Sequence, residues 1–83
     1  MDRETHRIQE IDNGRRAERI LESIEPYTTA LEERLVEEWK TSNADDVAGQ
    51  QRIRYRLEAL QQILSDIEND RQTGRMAEKE QIQ

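Results

Sequence analysis

With 83 residues, a net charge of −6 and no cysteine, the chain holds one domain at most and has neither disulfides nor thiolate zinc sites. Apolar residues are 33% and charged residues 39% of it, so the core is small, and chains near this size lean on a metal or on oligomerisation when disulfides are absent. The acidic balance disfavours binding of nucleic acid or an anionic membrane by the chain as a whole, no apolar run approaches the roughly 18 residues of a membrane span, and the opening MDRETHRIQE is too polar for a signal peptide.

Residues 1–13 are set apart as an N-terminal arm or short separate helix over residues 3–12. Ile8 and Ile11 fall on the wrong side of the following helix if it is extended backwards, and Asn13-Gly14 is a helix-stopping or turn pair. His6 is the only histidine. With no second His or Cys it reads as a solvated side chain rather than a metal ligand.

Residues 15–40 form an amphipathic helix. Ile20, Ile24, Tyr27, Leu31 and Leu35 recur at steps of three and four, with Leu21 and Trp39 on the flank. Pro26 removes one amide bond inside this stripe, and because the apolar phase runs through it without a jump, a kink is expected rather than a break. KTSN ends the helix, and Lys40 complements its C-terminal dipole.

Asn43 reads as the N-cap of a second helix over residues 44–73, with Asp45 and Asp46 at its positive end. Its seam is Ile53, Leu57, Leu60, Leu64 and Ile67, a coiled-coil 4-3-4-3 pattern. Gly74 follows as a left-handed C-cap, and residues 75–83 are a polar, frayed tail. The plan contains no internal repeat and no low-complexity segment.

The fold class is therefore all-α: an antiparallel two-helix hairpin over residues 14–74, preceded by the arm and assembling into a helical bundle or higher oligomer. The helices are about 26 and 30 residues, roughly 40 and 45 Å, long. Folded at Thr41–Ser42 through a loop of about two or three residues, facing positions have numbers that sum to about 85. Arg52, Arg54 and Arg56 then oppose Glu32 and Glu33, while Arg15, Arg16 and Arg19 oppose Asp66, Glu68 and Asp70. Such pairs select register more than they stabilise. On this reading the RIRYR segment, residues 52–56, is helical and sends Ile53 into the seam. A nucleic-acid grip would want unpaired basic residues interleaved with several aromatics, and Tyr55 is the only candidate.

No catalytic constellation emerges. Glu32, Glu33, Glu37 and Glu38 lack the Glu-x-x-His companion of a di-iron bundle site and an apolar pocket to raise one carboxyl pKa. Ser23, Ser42 and Ser65 have no base partner, and Gly14, Gly49 and Gly74 form no phosphate loop. The expectation is a chain with no enzymatic role, no cofactor and no metal. One constellation is left over: Tyr55, Ala59 and Ile63 line up at i, i+4 and i+8 outside the seam, bordered by Arg52 and Arg56, with Val36 also turned away on the first helix. Arg52, Tyr55, Arg56, Ala59 and Ile63 are the candidate partner interface.

The span ALEERLVEEWKTSNADDVAGQQRIRYRLEALQQILSDIENDRQTGRMA resembles a group of small helical proteins encoded by tailed bacteriophages and prophages. The likeness lies in Leu31 and Leu35, Trp39, Asp45 or Asp46, Arg52, Leu57 and Leu60, and the ending Gly74-Arg75-Met76-Ala77. Arg54-Tyr55 departs from it, standing where a Leu-Trp-like pair is expected. The resemblance implies a virion-associated or assembly role. With the small core and the polar opening, the expectation is a component that oligomerises or docks on a larger phage or host protein, in the host cytoplasm or on the virion, neither secreted nor membrane-bound. The rival expectation is a small acidic inhibitor that binds a host defence protein or mimics nucleic acid, supported by the carboxylate run on residues 32–38.

Overall fold

The computed structural model describes the backbone of residues 2–82 and the side chains of residues 3–80; Met1 and Gln83, at the ends of the expected arm and tail, lie outside the described residues. Two helices, α1 (Asp2–Thr41) and α2 (Val47–Ile82), pack against each other as an antiparallel hairpin with extents of 59 × 22 × 15 Å. Both are longer than the amphipathic stretches in the sequence suggest, because neither glycine expected to end a helix does so. α1 runs unbroken through Asn13-Gly14, so the N-terminal residues are its first turns and not a separate arm. α2 runs unbroken through Gly74. No described glycine has a positive φ, so Gly74 is ordinary helix rather than a left-handed cap.

The physical reason is that the two glycines face each other. A β-carbon on Gly14 would lie 2.7 Å from the Gly74 Cα and 3.1 Å from the Asp70 carbonyl oxygen; one on Gly74 would lie 2.7 Å from the Gly14 Cα and 2.8 Å from the Glu10 carbonyl oxygen. Glycine is used here for close approach of two backbones. Ala17 and Ala77, one turn further along each helix, are 3% and 2% exposed and continue the small-residue contact. Ile11 is buried beside it, because Gly14 continues the helix and so carries Ile11 onto the seam.

This crossing is locally two-fold. Residues 14–19 read GRRAER and residues 74–79 read GRMAEK, a short repeat where none was expected, its halves beginning 60 positions apart. Its charges pair reciprocally: Arg15 Nε donates to Glu78 Oε1 at 3.0 Å, and Arg75 Nη2 donates to Glu18 Oε1 at 2.9 Å. Arg7 reaches Glu80 at 3.5 Å in the next turn. The facing numbers at the crossing sum to 88 through Gly14 and Gly74, three more than the expected register.

The shift comes from the connection, which spans residues 42–46 rather than two or three residues. Thr41 Oγ1 donates to the Glu37 carbonyl at 2.9 Å and Ser42 Oγ to the Trp39 carbonyl at 2.6 Å, occupying two of the end carbonyls of α1. Asn43 does not cap α2. Its Oδ1 accepts from the Asp45 amide at 3.2 Å, an Asx turn inside the loop, and Asp46 is the cap, accepting the Gly49 amide on Oδ1 at 3.0 Å. Pro26 sits within α1 with both it and Glu22 exposed, so water can serve the carbonyl that the proline ring leaves without an amide donor.

Candidate interaction surfaces

A two-layer hairpin has one seam and two broad sides, and the seam decides what each side shows. Leu35 is fully buried and Ile53 nearly so. Leu21, Ile24, Leu31, Leu57, Leu60, Leu64 and Ile67 are half-buried. Three residues expected in the seam stand outside it: Tyr27 is 78% exposed, Trp39 53% and Ile20 39%. Beside them Glu18, Thr28 and Glu32 are half-buried. The seam on α1 is therefore rotated away from the centre of the apolar stripe. The Gly14–Gly74 contact sets that rotation, and a seam through Gly14, Leu21, Thr28 and Leu35, each seven residues apart, leaves Ile20 and Tyr27 on one flank.

One broad side is polar and acidic. A shallow groove runs along it between Glu18, Leu21, Glu22, Glu25, Thr28 and Glu32 on α1 and Gln61, Leu64, Ser65, Glu68 and Arg71 on α2. Arg71 donates to Glu68 one turn back on α2. That hydrogen bond holds the Glu68 carboxyl below the usual carboxylate range and pushes the Arg71 guanidinium above its usual value. The Nε of Arg71 is enclosed with no acceptor. Glu22, Glu25 and Glu32 make no ion pair among the described residues.

The opposite side is more apolar. Ile20 and Ile67 line a depression there with Asn13, Arg16, Ala17 and Asp70. Tyr27 lies two turns beyond Ile20 on the same line of α1, and Ile63 one turn before Ile67 on α2; Ile63 is 57% exposed. Tyr55, Ala59, Arg52 and Arg56 are exposed with it, so all five residues of the candidate interface stand in solvent. Val36 is also exposed, but beside Glu32, Glu33 and Glu37 on the acidic side; Val47 is exposed at the loop end.

The arginines of RIRYR do not oppose the acids of α1 as the expected register had it. Arg54 pairs within its own helix, with Glu58 at 3.1 Å, and Arg56 reaches Glu38 only at 4.0 Å. Arg52 has no ion pair among the described residues, nor do Arg16 and Arg19 at the open end, where Arg15 takes Glu78 instead. Asp66 accepts from Gln62 at 3.2 Å on its own helix. The carboxylates of Glu33 and Glu37 remain free in the same sense. The three-residue shift in register carries each expected partner about one turn out of reach.

His6 contacts Glu10 at 2.8 Å. Among the described residues no group of three or more His, Cys, Asp or Glu side chains is arranged to hold a metal ion, and no helix is long and apolar enough to cross a membrane. The missed features are Ile11, Gly14, Ala17, Gly74 and Ala77. The signal for the two glycines and two alanines was the repeated Gly-Arg-x-Ala-Glu string, readable only when the two helices are compared with each other; Ile11 follows once Gly14 continues the helix. Comparison with protein-family models, with curated proteins and with solved structures finds no match to this chain.

Proposed function

We propose that the chain is a non-enzymatic helical interaction protein, a virion-associated or assembly component of a tailed bacteriophage that works by presenting one broad side of its hairpin to another protein. The observation that carries the interaction part is the surplus of apolar side chains on the Ile20, Tyr27 and Ile63 side, in a molecule whose own seam leaves them outside. Exposed apolar groups gathered on one face, rimmed by charge, are the usual mark of a protein contact. The phage setting rests on the resemblance of residues 30–77 and on nothing else.

The experiment is a pull-down of tagged protein from phage-infected cells, with mass spectrometry of what co-purifies and an Ile63→Glu variant as the control. Recovery of capsid, portal or tail proteins by the wild type and their loss from the variant supports the reading. A second reading is favoured by Glu22, Glu25, Glu32, Glu33 and Glu37, whose carboxylates make no ion pair among the described residues: a small acidic inhibitor that engages a host defence protein through its acidic side. Recovery of a single host nucleic-acid enzyme, undisturbed by Ile63→Glu, would replace the first reading with this one.

A further inference from the structure

The exposed outer line of α2 is self-complementary. Arg56, Ile63 and Asp70 stand seven residues apart, two turns each, and so lie in one row along the helix; Arg52, Ala59 and Asp66 make the row beside it. In both rows the base comes first, a small or apolar residue sits in the middle, and the acid comes last. Arg52 and Asp70 have no ion pair among the described residues, and Arg56 has only its distant contact with Glu38. Asp66 accepts from Gln62 on its own helix, so within the chain Arg52 and Asp70 stand unanswered and Arg56 and Asp66 have no close opposite charge. Turned end for end about a point between Leu60 and Ile63, however, the same rows answer themselves: the arginines of one copy meet the aspartates of the other, with Ile63 against its counterpart at the centre. A two-fold interface has this requirement, that a patch be complementary to itself.

We propose that the partner on this side is a second copy of the chain, with α2 packed antiparallel on α2 and Ile20 and Tyr27 of α1 covering the flank, so that two hairpins make a four-helix bundle. The inference rests on the reading that the chain acts through protein contacts on this face, and it adds the occupant and the orientation. The side measures 59 × 22 Å in outline, which leaves room for the roughly 800 Å² per partner of a stable dimer.

The test is sedimentation across a concentration series, with two charge variants, R52E/R56E and D66R/D70R. Wild type is expected at twice 9.9 kDa. Each variant alone places like charges across the two-fold and is expected as a monomer. An equimolar mixture restores opposite charges at both ends and is expected to recover the dimer. If either variant loses helicity with its partner, mixing restores that too, which a plain folding defect would not do. The orientation has its own readout: the chain has no cysteine, so spin labels at Ala59→Cys are expected close together, and those at Gln72→Cys about 30 Å apart. A wild type that stays monomeric at every concentration, or a dimer indifferent to both variants and to their mixing, overturns the proposal. A monomer that still recovers virion proteins would sink the second copy and leave the proposed role standing. A dimer of this geometry that recovers none would support the pairing and sink the role.

Discussion

Gly14 and Gly74 meet backbone to backbone, with 2.7 Å between the Cα of either one and the place a β-carbon on the other would occupy. Helix propensity and packing make opposite demands at this point. Alanine in place of a mid-helix glycine is worth about 1 kcal/mol in an isolated helix. Here the added methyl would strike main chain, which cannot swing aside as a side chain tip does.

The first prediction is that packing wins. Gly14→Ala and Gly74→Ala should each lower stability by roughly 1–3 kcal/mol, the usual range for overpacking, despite the better propensity. Urea titration followed by circular dichroism at 222 nm gives the sign. A stabilised Gly14→Ala variant would mean that the helices part easily at this end and that the glycines serve no close approach.

The second prediction concerns Arg15–Glu78 and Arg75–Glu18. All four side chains are more than a third exposed, so each pair is expected to contribute at most about 1 kcal/mol. Their reciprocity matters for register: sliding one helix by a turn would lose both at once. A double-mutant cycle on Arg15→Ala and Glu78→Ala should give a coupling of about 0.5 kcal/mol that fades with added salt. Reversal of one charge by Arg15→Glu should cost more than Arg15→Ala, and adding Glu78→Arg should recover the difference. No recovery would show that the two side chains do not meet in solution.

The antiparallel hairpin was legible because it depends on features local to each helix: the stripes Ile24/Leu31/Leu35 and Ile53/Leu57/Leu60/Leu64/Ile67, and the mostly polar stretch TSNADD, residues 41–46, between them. The rotation of α1 about its axis was not legible. Its apolar arc runs from Ile20 across to Leu21, wider than a two-helix seam can bury, and periodicity alone cannot say which edge of a wide arc faces the partner. Gly14 and Gly74 fix that edge, and each one taken singly carries the same signal as a helix stop. Only the partner helix distinguishes a glycine that ends a helix from one that lets another helix in. The register had the same difficulty: an Asn and two Asp residues offer three ways to begin α2, and the choice of Asp46 moves every facing pair.

The third prediction separates the N-terminal turns from an arm. Ile11 is buried while Ile8 on the same helix is half exposed. Ile11→Ala should cost about 2 kcal/mol, near the low end for a buried isoleucine because it lies toward the open end, and Leu35→Ala about 3 kcal/mol. Ile8→Ala should stay within roughly 0.5 kcal/mol, as for an exposed site. Hydrogen exchange by mass spectrometry should show residues 11–17 protected together with residues 71–77, since one crossing holds both. Fast exchange across residues 5–17 alongside slow exchange at 71–77 would restore the arm.

The fourth prediction is a pH dependence carried by Glu68. The Arg71 hydrogen bond, with the positive charge of that guanidinium behind it, keeps its carboxyl ionised below the usual range in the folded chain, while in the unfolded chain it titrates near the ordinary value of about 4.3. The unfolded state therefore takes up this proton first as the solution is acidified. Stability from this group is fully present above about pH 5, falls as the pH drops through the unfolded value, and is gone once the folded carboxyl has also protonated. Both side chains are partly exposed, so solvent screening keeps the effect small. Glu68→Gln keeps an acceptor for Arg71 and removes the titration. Melting temperatures of the two proteins should differ at neutral pH, wild type higher, and should converge as the pH falls below about 4. A gap that stays constant into strong acid would assign the difference to packing and not to the Glu68 charge, and a gap that widens on acidification would reverse the sign of the linkage.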